Sequence, residues 1–140
     1  DTGQTLVVDI LGSWCPNCMD EVRLLKEMHD AGQTQFISIA FERPEDVQKA
    51  FARVDEFQAL MGIPWNLYLG GRASKTVAAE AFPFLEKVVS FPTTLFFQHD
   101  GTVTVHSGFN GPATGDRYTA EQATFKRLSQ SAIATSLENR

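Results

Sequence analysis

At 140 residues the chain fits a single domain, residues 1–140, large enough to bury a hydrophobic core without a metal or structural crosslinks. Hydrophobic residues make up 43% and charged residues 21%, a globular balance that excludes collagen-like and disordered classes. The net charge of -5, with Lys and Arg scattered singly, excludes the basic footprint a nucleic-acid partner requires, and no apolar run approaches the roughly 18–20 residues that span a bilayer.

The chain opens at Asp1, without Met or a charged-then-apolar leader, a few residues before a strong strand signal, which leads us to expect a trimmed or exported precursor. Residues 6–11 (LVVDIL) form an apolar run rich in β-branched side chains, the pattern of a strand covered on both faces in a parallel sheet. Gly12, Ser13 and Trp14 end it. From Cys15 to about His29, Met19, Val22, Leu25 and Met28 recur at spacings of three along one helical face, with Gly32 just beyond. Residues 36–41 (FISIAF) repeat the strand signal. Pro44, Glu45 and Asp46 then open a second helix, for which Val47, Phe51, Val54 and Phe57 are the expected buried stripe and Gly62 the stop. Two successive strand–helix units imply an α/β fold with right-handed crossovers.

Residues 63–89 read as an inserted segment, with a short strand at 66–69 and helical material over 72–88 broken near Pro83. Residues 94–98, a His99-Asp100-Gly101 turn and residues 102–107 predict an antiparallel β-hairpin. Thr119 and Gln122 have capping-box spacing, and Phe125, Leu128, Ile133 and Leu137 are expected to line the closing helix.

Cys15 and Cys18 carry the chemistry. Three residues apart at a helix start, they lie on one face and close enough to join as a disulfide. The unpaired N–H groups and positive dipole of a helix N-terminus favour thiolate, so Cys15, the outer residue, is the expected nucleophile. Cys18, a turn deeper, is placed to attack the mixed disulfide. Pro16 suits a first-turn position, where its missing N–H costs no helical bond. As a structural staple the loop is too short to constrain the unfolded chain appreciably. As a zinc site the pair lacks two further ligands, and His29, His99 and His106 show no ligand spacing with it.

Two acids invite attention. Asp9 interrupts an apolar central strand, where an unpartnered carboxylate is costly. Glu42 follows the second strand, at the strand ends where α/β sites assemble. Either could take the Cys18 proton.

Trp14-Cys15-Pro16-Asn17-Cys18 after an apolar strand, Phe91-Pro92-Thr93-Thr94 further on, and a final hairpin and helix resemble the thioredoxin superfamily, in particular its TlpA-like and ResA-like redoxins, from about residue 6 to 137. The resemblance implies a thioredoxin fold: a mixed central sheet flanked by helices, with an insertion between the second helix and the proline-bearing strand. It implies a cis Pro92 facing the cysteines, a Phe91 backbone that binds extended substrate, and a substrate surface that includes Trp14 and Pro16. Glu42 would match the acid after the second strand in such redoxins, and Asp9 the buried acid of thioredoxin itself; having both departs from either pattern and leaves the proton acceptor open. The 109–115 loop resembles a TlpA-like subgroup without revealing a chemistry.

The implied activity is that of a monomeric thiol:disulfide oxidoreductase reducing protein disulfides. It would use the Cys15–Cys18 disulfide in place of a cofactor or metal and take electrons from a membrane or soluble reductase. An extracytoplasmic location, such as the bacterial periplasm, follows from the resemblance alone. Two other functions compete: a peroxiredoxin-like peroxidase, a class that needs a Thr two or three residues before its peroxidatic Cys and lacks a resolving Cys at this spacing, whereas Trp14 sits here, and a copper-handling module, in which soft thiolates with His99 or His106 would hold Cu(I).

Overall fold

β1 (Thr5–Leu11) is buried along almost its whole length, as its apolar run demands. The computed structural model describes residues 5–32, 34–83, 85 and 90–138. β1 lies at the middle of a five-stranded sheet ordered β3-β2-β1-β4-β5. β2 (Thr34–Glu42) pairs parallel with β1, and β3 (Asn66–Arg72) parallel with β2. β4 (Thr93–Phe97) runs antiparallel on the other side of β1, followed by antiparallel β5 (Val103–Ser107). The sheet is therefore mixed, with the parallel half built by the two predicted strand–helix units and the antiparallel half by the predicted hairpin.

The two faces hold separate cores. On one, α1 (Pro16–Asp30), α2 (Val47–Met61) and α4 (Asp116–Glu138) contribute Leu24, Leu25, Val54, Phe57 and Phe125 to a cluster with Val7, Leu11 and Phe96 of the sheet. On the other, Ala78 of α3 (Lys75–Ala81) packs with Val8, Ile10, Phe41 and Leu95. Alternation along β1 sends Val7, Asp9 and Leu11 to the first face and Val8 and Ile10 to the second, so Asp9 points into the larger core.

Three sequence expectations change. The buried stripe of α2 is Ala50, Val54, Phe57 and Met61, whereas Val47 and Phe51 are 60% and 51% exposed. The helical period admits both stripes, and small Ala50, which carries little apolar weight in the sequence, is the residue that lies inward. The Thr119–Gln122 pair does not cap α4: the helix begins at Asp116, after a 3-10 turn at Pro112–Thr114, and Thr119 N–H already bonds to Gly115 O. Between α2 and β4, the strand extends to Arg72 and forms the sheet edge, and the helix ends at Ala81; positions 84 and 86–89 of that expectation lie outside the described residues, as do the side chains of Ile133 and Leu137.

Asp46, not Pro44 or Glu45, begins α2, accepting from the backbone N–H groups of Gln48 (2.8 Å) and Lys49 (3.1 Å). Gly62 ends it in the left-handed region, φ 62° and ψ 42°, with its N–H on Ala59 O and that of Ile63 on Gln58 O. A side chain there is strained, so Gly62→Ala is expected to lower stability by about 1 kcal/mol in urea unfolding with an unchanged slope.

Candidate active site

The strand-to-helix turn after β1 builds the site. Cys15 is the N-cap of α1, the role normally given to an oxygen acceptor, and its Sγ accepts the Cys18 N–H at 3.2 Å. Pro16 follows at the first helical turn. The Cys15 residue is 5% exposed and Cys18 fully enclosed, and both thiols are free. Cys15 is thus the outer sulfur, as expected from its position, though reached through a narrow opening.

Trp14 organises the rim. Its indole N–H donates to Phe41 O at 2.8 Å, its ring meets Phe91 edge-on at 5.3 Å, and the Arg43 guanidinium lies 4.7 Å from the ring centroid. Gly12 is required because a Cβ there would run into the indole. The Phe91–Pro92 peptide is cis. Phe91 O faces the Cys15 thiol, which donates to it at 3.5 Å, while Pro92 O accepts the Gly108 N–H at 2.7 Å. The 109–115 loop therefore leaves directly from beside Pro92. Glu121, buried and paired with His106 at 2.9 Å, fixes that loop by accepting the Asn110 N–H at 2.8 Å.

Glu42, the second acid expected at the site, lies beside the turn ahead of Cys15. It is buried, but its carboxylate accepts the backbone N–H of Ser13 at 2.9 Å and the Ser13 hydroxyl, which pins the turn ahead of Cys15. The acid beside Asp9 is instead Glu21, which the sequence reading missed. It is completely buried on α1, one turn beyond Cys18. The signal was available: Cys18, Glu21, Val22, Leu25 and Met28 are the inward stripe of α1, so a carboxylate stands where an apolar residue belongs.

Asp9, Ser38 and Thr94 are register partners on the three central strands and form a polar row across the sheet. The Thr94 hydroxyl donates to Glu21 Oε2 and the Ser38 hydroxyl lies 3.5 Å from Asp9 Oδ2. Asp9 Oδ1 and Glu21 Oε1 are buried without a hydrogen-bond partner, and the two carboxyl groups interact electrostatically. Two neighbouring buried carboxylates disfavour being ionised together.

Burial raises Asp9 from the usual carboxylate value to about 6, despite hydrogen bonds to Glu21 and Ser38. Burial, with the neighbouring Asp9 charge, raises Glu21 well above the ordinary carboxylate value. Cys15 is lowered to about 7, first by the Cys18 thiol and further by the Cys18 and Asn17 N–H groups, against burial and the Asp9 charge. Cys18 is raised above the ordinary thiol range by burial first, then by the Cys15 sulfur and the Asp9 charge. The outer sulfur is thus the ionising one. Among the described residues no three His, Cys, Asp or Glu side chains gather in a metal-binding arrangement.

Several solved structures share this architecture. A secreted disulfide oxidoreductase of Mycobacterium tuberculosis, homologous to Escherichia coli DsbE, superposes with a TM-score of 0.56 over 84% of this chain and 82% of its own, at 20% identity. The thioredoxin domain of a thiol-disulfide oxidoreductase from Bacteroides vulgatus gives 0.56 over 91% and 80%, at 17% identity. The chain has a thioredoxin fold. A thiol-disulfide isomerase from Corynebacterium glutamicum, at 0.58 over 86% and 81% with 14% identity, has the same thioredoxin fold. No protein-family profile and no curated protein matches the sequence.

Two measurements follow from the electrostatics. Native alkylation by iodoacetamide should modify Cys15 alone, with a rate that rises through a midpoint near pH 7, below an ordinary thiol at 9.0. Equal labelling of both cysteines, or a midpoint near 9, would overturn the assignment of Cys15 as the ionising sulfur. Asp9 binds its proton more tightly folded than unfolded, so its effect on stability is nil below pH 3.8 and becomes unfavourable as pH rises through about 6. Asp9→Asn should therefore stabilise the protein at pH 8, on the order of 2 kcal/mol, and leave it nearly unchanged at pH 3 to 4, measured by urea unfolding across pH.

Proposed function

We propose that this chain is a thiol:disulfide oxidoreductase that reduces disulfides of exported protein substrates by cycling Cys15 and Cys18 between dithiol and disulfide. One observation carries the reading: a sulfur that ionises near neutrality caps α1 across from the Phe91 carbonyl, with a protonated thiol and a proton-accepting carboxyl pair directly behind it. The activities named for the secreted, Bacteroides and Corynebacterium proteins of the same fold support it.

Catalysis begins when an extended substrate segment lies along the rim formed by Trp14, Pro16, Phe91 and Pro92. The Cys15 thiolate attacks one sulfur of the substrate disulfide; that S–S bond breaks, a mixed disulfide forms, and the first substrate sulfur leaves as a thiolate that takes a proton from solvent. Cys18 then gives its proton to the Asp9–Glu21 pair, whose hold on a proton burial strengthens. The Cys18 sulfur attacks Cys15, closing the enzyme disulfide and expelling the second substrate thiolate. The substrate gains two electrons from the enzyme and two protons, one from solvent and one that the carboxyl pair passes to the second thiolate; the enzyme loses two electrons and the one proton that Cys18 held. A membrane or soluble reductase restores the dithiol.

No other cofactor enters the cycle. The single domain acts as a monomer in an extracytoplasmic compartment, a placement supported by the secreted Mycobacterium tuberculosis protein of the same fold. Among the described residues no helix is long and apolar enough to cross a membrane.

Cys15→Ser is expected to abolish reduction of a protein disulfide such as that of insulin. Cys18→Ser should instead stall as a mixed disulfide through Cys15, visible as an adduct by mass spectrometry. An unmodified Cys18→Ser protein, together with no insulin reduction by the parent chain, would reject the function. The reduction potential of the pair should lie below about -180 mV; a value near -120 mV would make the chain an oxidant.

A further inference from the structure

The carboxyl pair has an outer support that neither the catalytic cycle nor the rim uses. Trp65, in the segment between α2 and β3, sends its indole N–H to Ser38 Oγ at 2.9 Å. Ser38 Oγ lies 3.5 Å from Asp9 Oδ2. An indole nitrogen only donates, so it occupies an acceptor site on the serine oxygen and turns the hydroxyl hydrogen away from itself. The acceptor within reach is Asp9. At the other end, the Thr94 hydroxyl donates to Glu21 Oε2. Both outer carboxylate oxygens are thus supplied with hydroxyl hydrogens, while Asp9 Oδ1 and Glu21 Oε1 have no hydrogen-bond partner.

The indole is itself held in place. It packs against Phe36 at 4.9 Å and His29 at 5.5 Å, and the Gln58 side-chain amide donates to Ile63 O at 3.3 Å and Trp65 O at 3.0 Å. Trp65 and Ser38 are both buried, so neither finds water as an alternative partner.

We propose that Ser38 and Trp65 are positioning residues for the Asp9–Glu21 pair: Trp65 orients the Ser38 hydroxyl toward Asp9 Oδ2, which steadies Asp9 as the ionised, proton-accepting member. Hydrogen bonds to the charged form of a carboxylate favour that form. Losing the Ser38 donor makes Asp9 hold its proton to higher pH, and losing Trp65 frees the hydroxyl to turn elsewhere with a smaller effect in the same direction. The titratable groups facing the pair are Cys15 and Cys18 of α1, whereas β2 and β4 contribute the hydroxyls of Ser38 and Thr94. His29, the titratable neighbour of Trp65, pairs with Asp30 at 3.6 Å.

The inference rests on the pair accepting the Cys18 proton, yet its test does not need turnover. Carboxyl-carbon NMR of the full chain reads Asp9 and Glu21 apart from His29 and the thiols. In Ser38→Ala the Asp9 midpoint should move upward by about one pH unit, in Trp65→Phe by less, and Ser38→Thr should return it to the parent value. Single-turnover resolution of the mixed disulfide should shift its pH midpoint alike. Unmoved or lowered Asp9 midpoints in Ser38→Ala and Trp65→Phe overturn the proposal, and so does a shift in Ser38→Ala without one in Trp65→Phe. Should Ser38→Ala fail to fold, Trp65→Phe alone decides in the same way. Shifted midpoints without any disulfide exchange would uphold the positioning roles and reject the oxidoreductase reading instead.

Discussion

A carboxylate in the middle of a central strand is the constraint around which this molecule is arranged. Asp9 lies on the face of β1 that meets α1, inside the larger core, where an isolated charge is several kcal/mol unfavourable. The fold meets that cost locally. Register brings Ser38 and Thr94 alongside on the neighbouring strands, and α1 lowers Glu21 onto the same spot. What remains is a pair of carboxyl groups whose hold on a proton burial strengthens. The same strand runs on into the turn that presents Cys15, so charge burial and thiol presentation belong to one seven-residue element.

The rim is organised by a second centre. Trp14 ties the turn to the end of β2 through Phe41 O, touches Phe91 ahead of the cis bond, and carries Arg43 on its ring. Glu42 holds the preceding residue, Ser13, by both backbone and hydroxyl. Three segments distant in sequence are thereby fixed around one sulfur. The two acids singled out by sequence sit in different settings: Asp9 lies in the core beside Glu21, and Glu42 holds Ser13 in the turn ahead of Cys15.

Much of this was legible in the residues. Apolar runs at 6–11 and 36–41 and the turn at His99-Asp100-Gly101 declare their strands because their periods and β-branched content match a half or fully buried sheet. The Cys-Pro-Asn-Cys spacing declares its helix start and its chemistry together. Glu21 escaped because a charged residue on a helix is ordinarily solvated, and only the three-dimensional approach of Asp9 shows why it faces inward. Ser38 and Trp65 escaped for a related reason: each looks like filler in its own segment, and their relation comes from strand register and the path of the chain into β3. The rotation of the α2 stripe by a few residues reflects a pattern that fits two faces equally until Ala50 is seen packed.

Glu21 and Cys18 sit one helical turn apart on the same rigid rod. In the proposed cycle, a substrate that displaces Trp14, Arg43 or the 109–115 loop leaves unaltered how far Cys18 stands from Glu21. Substrate fit and proton handling are then separable.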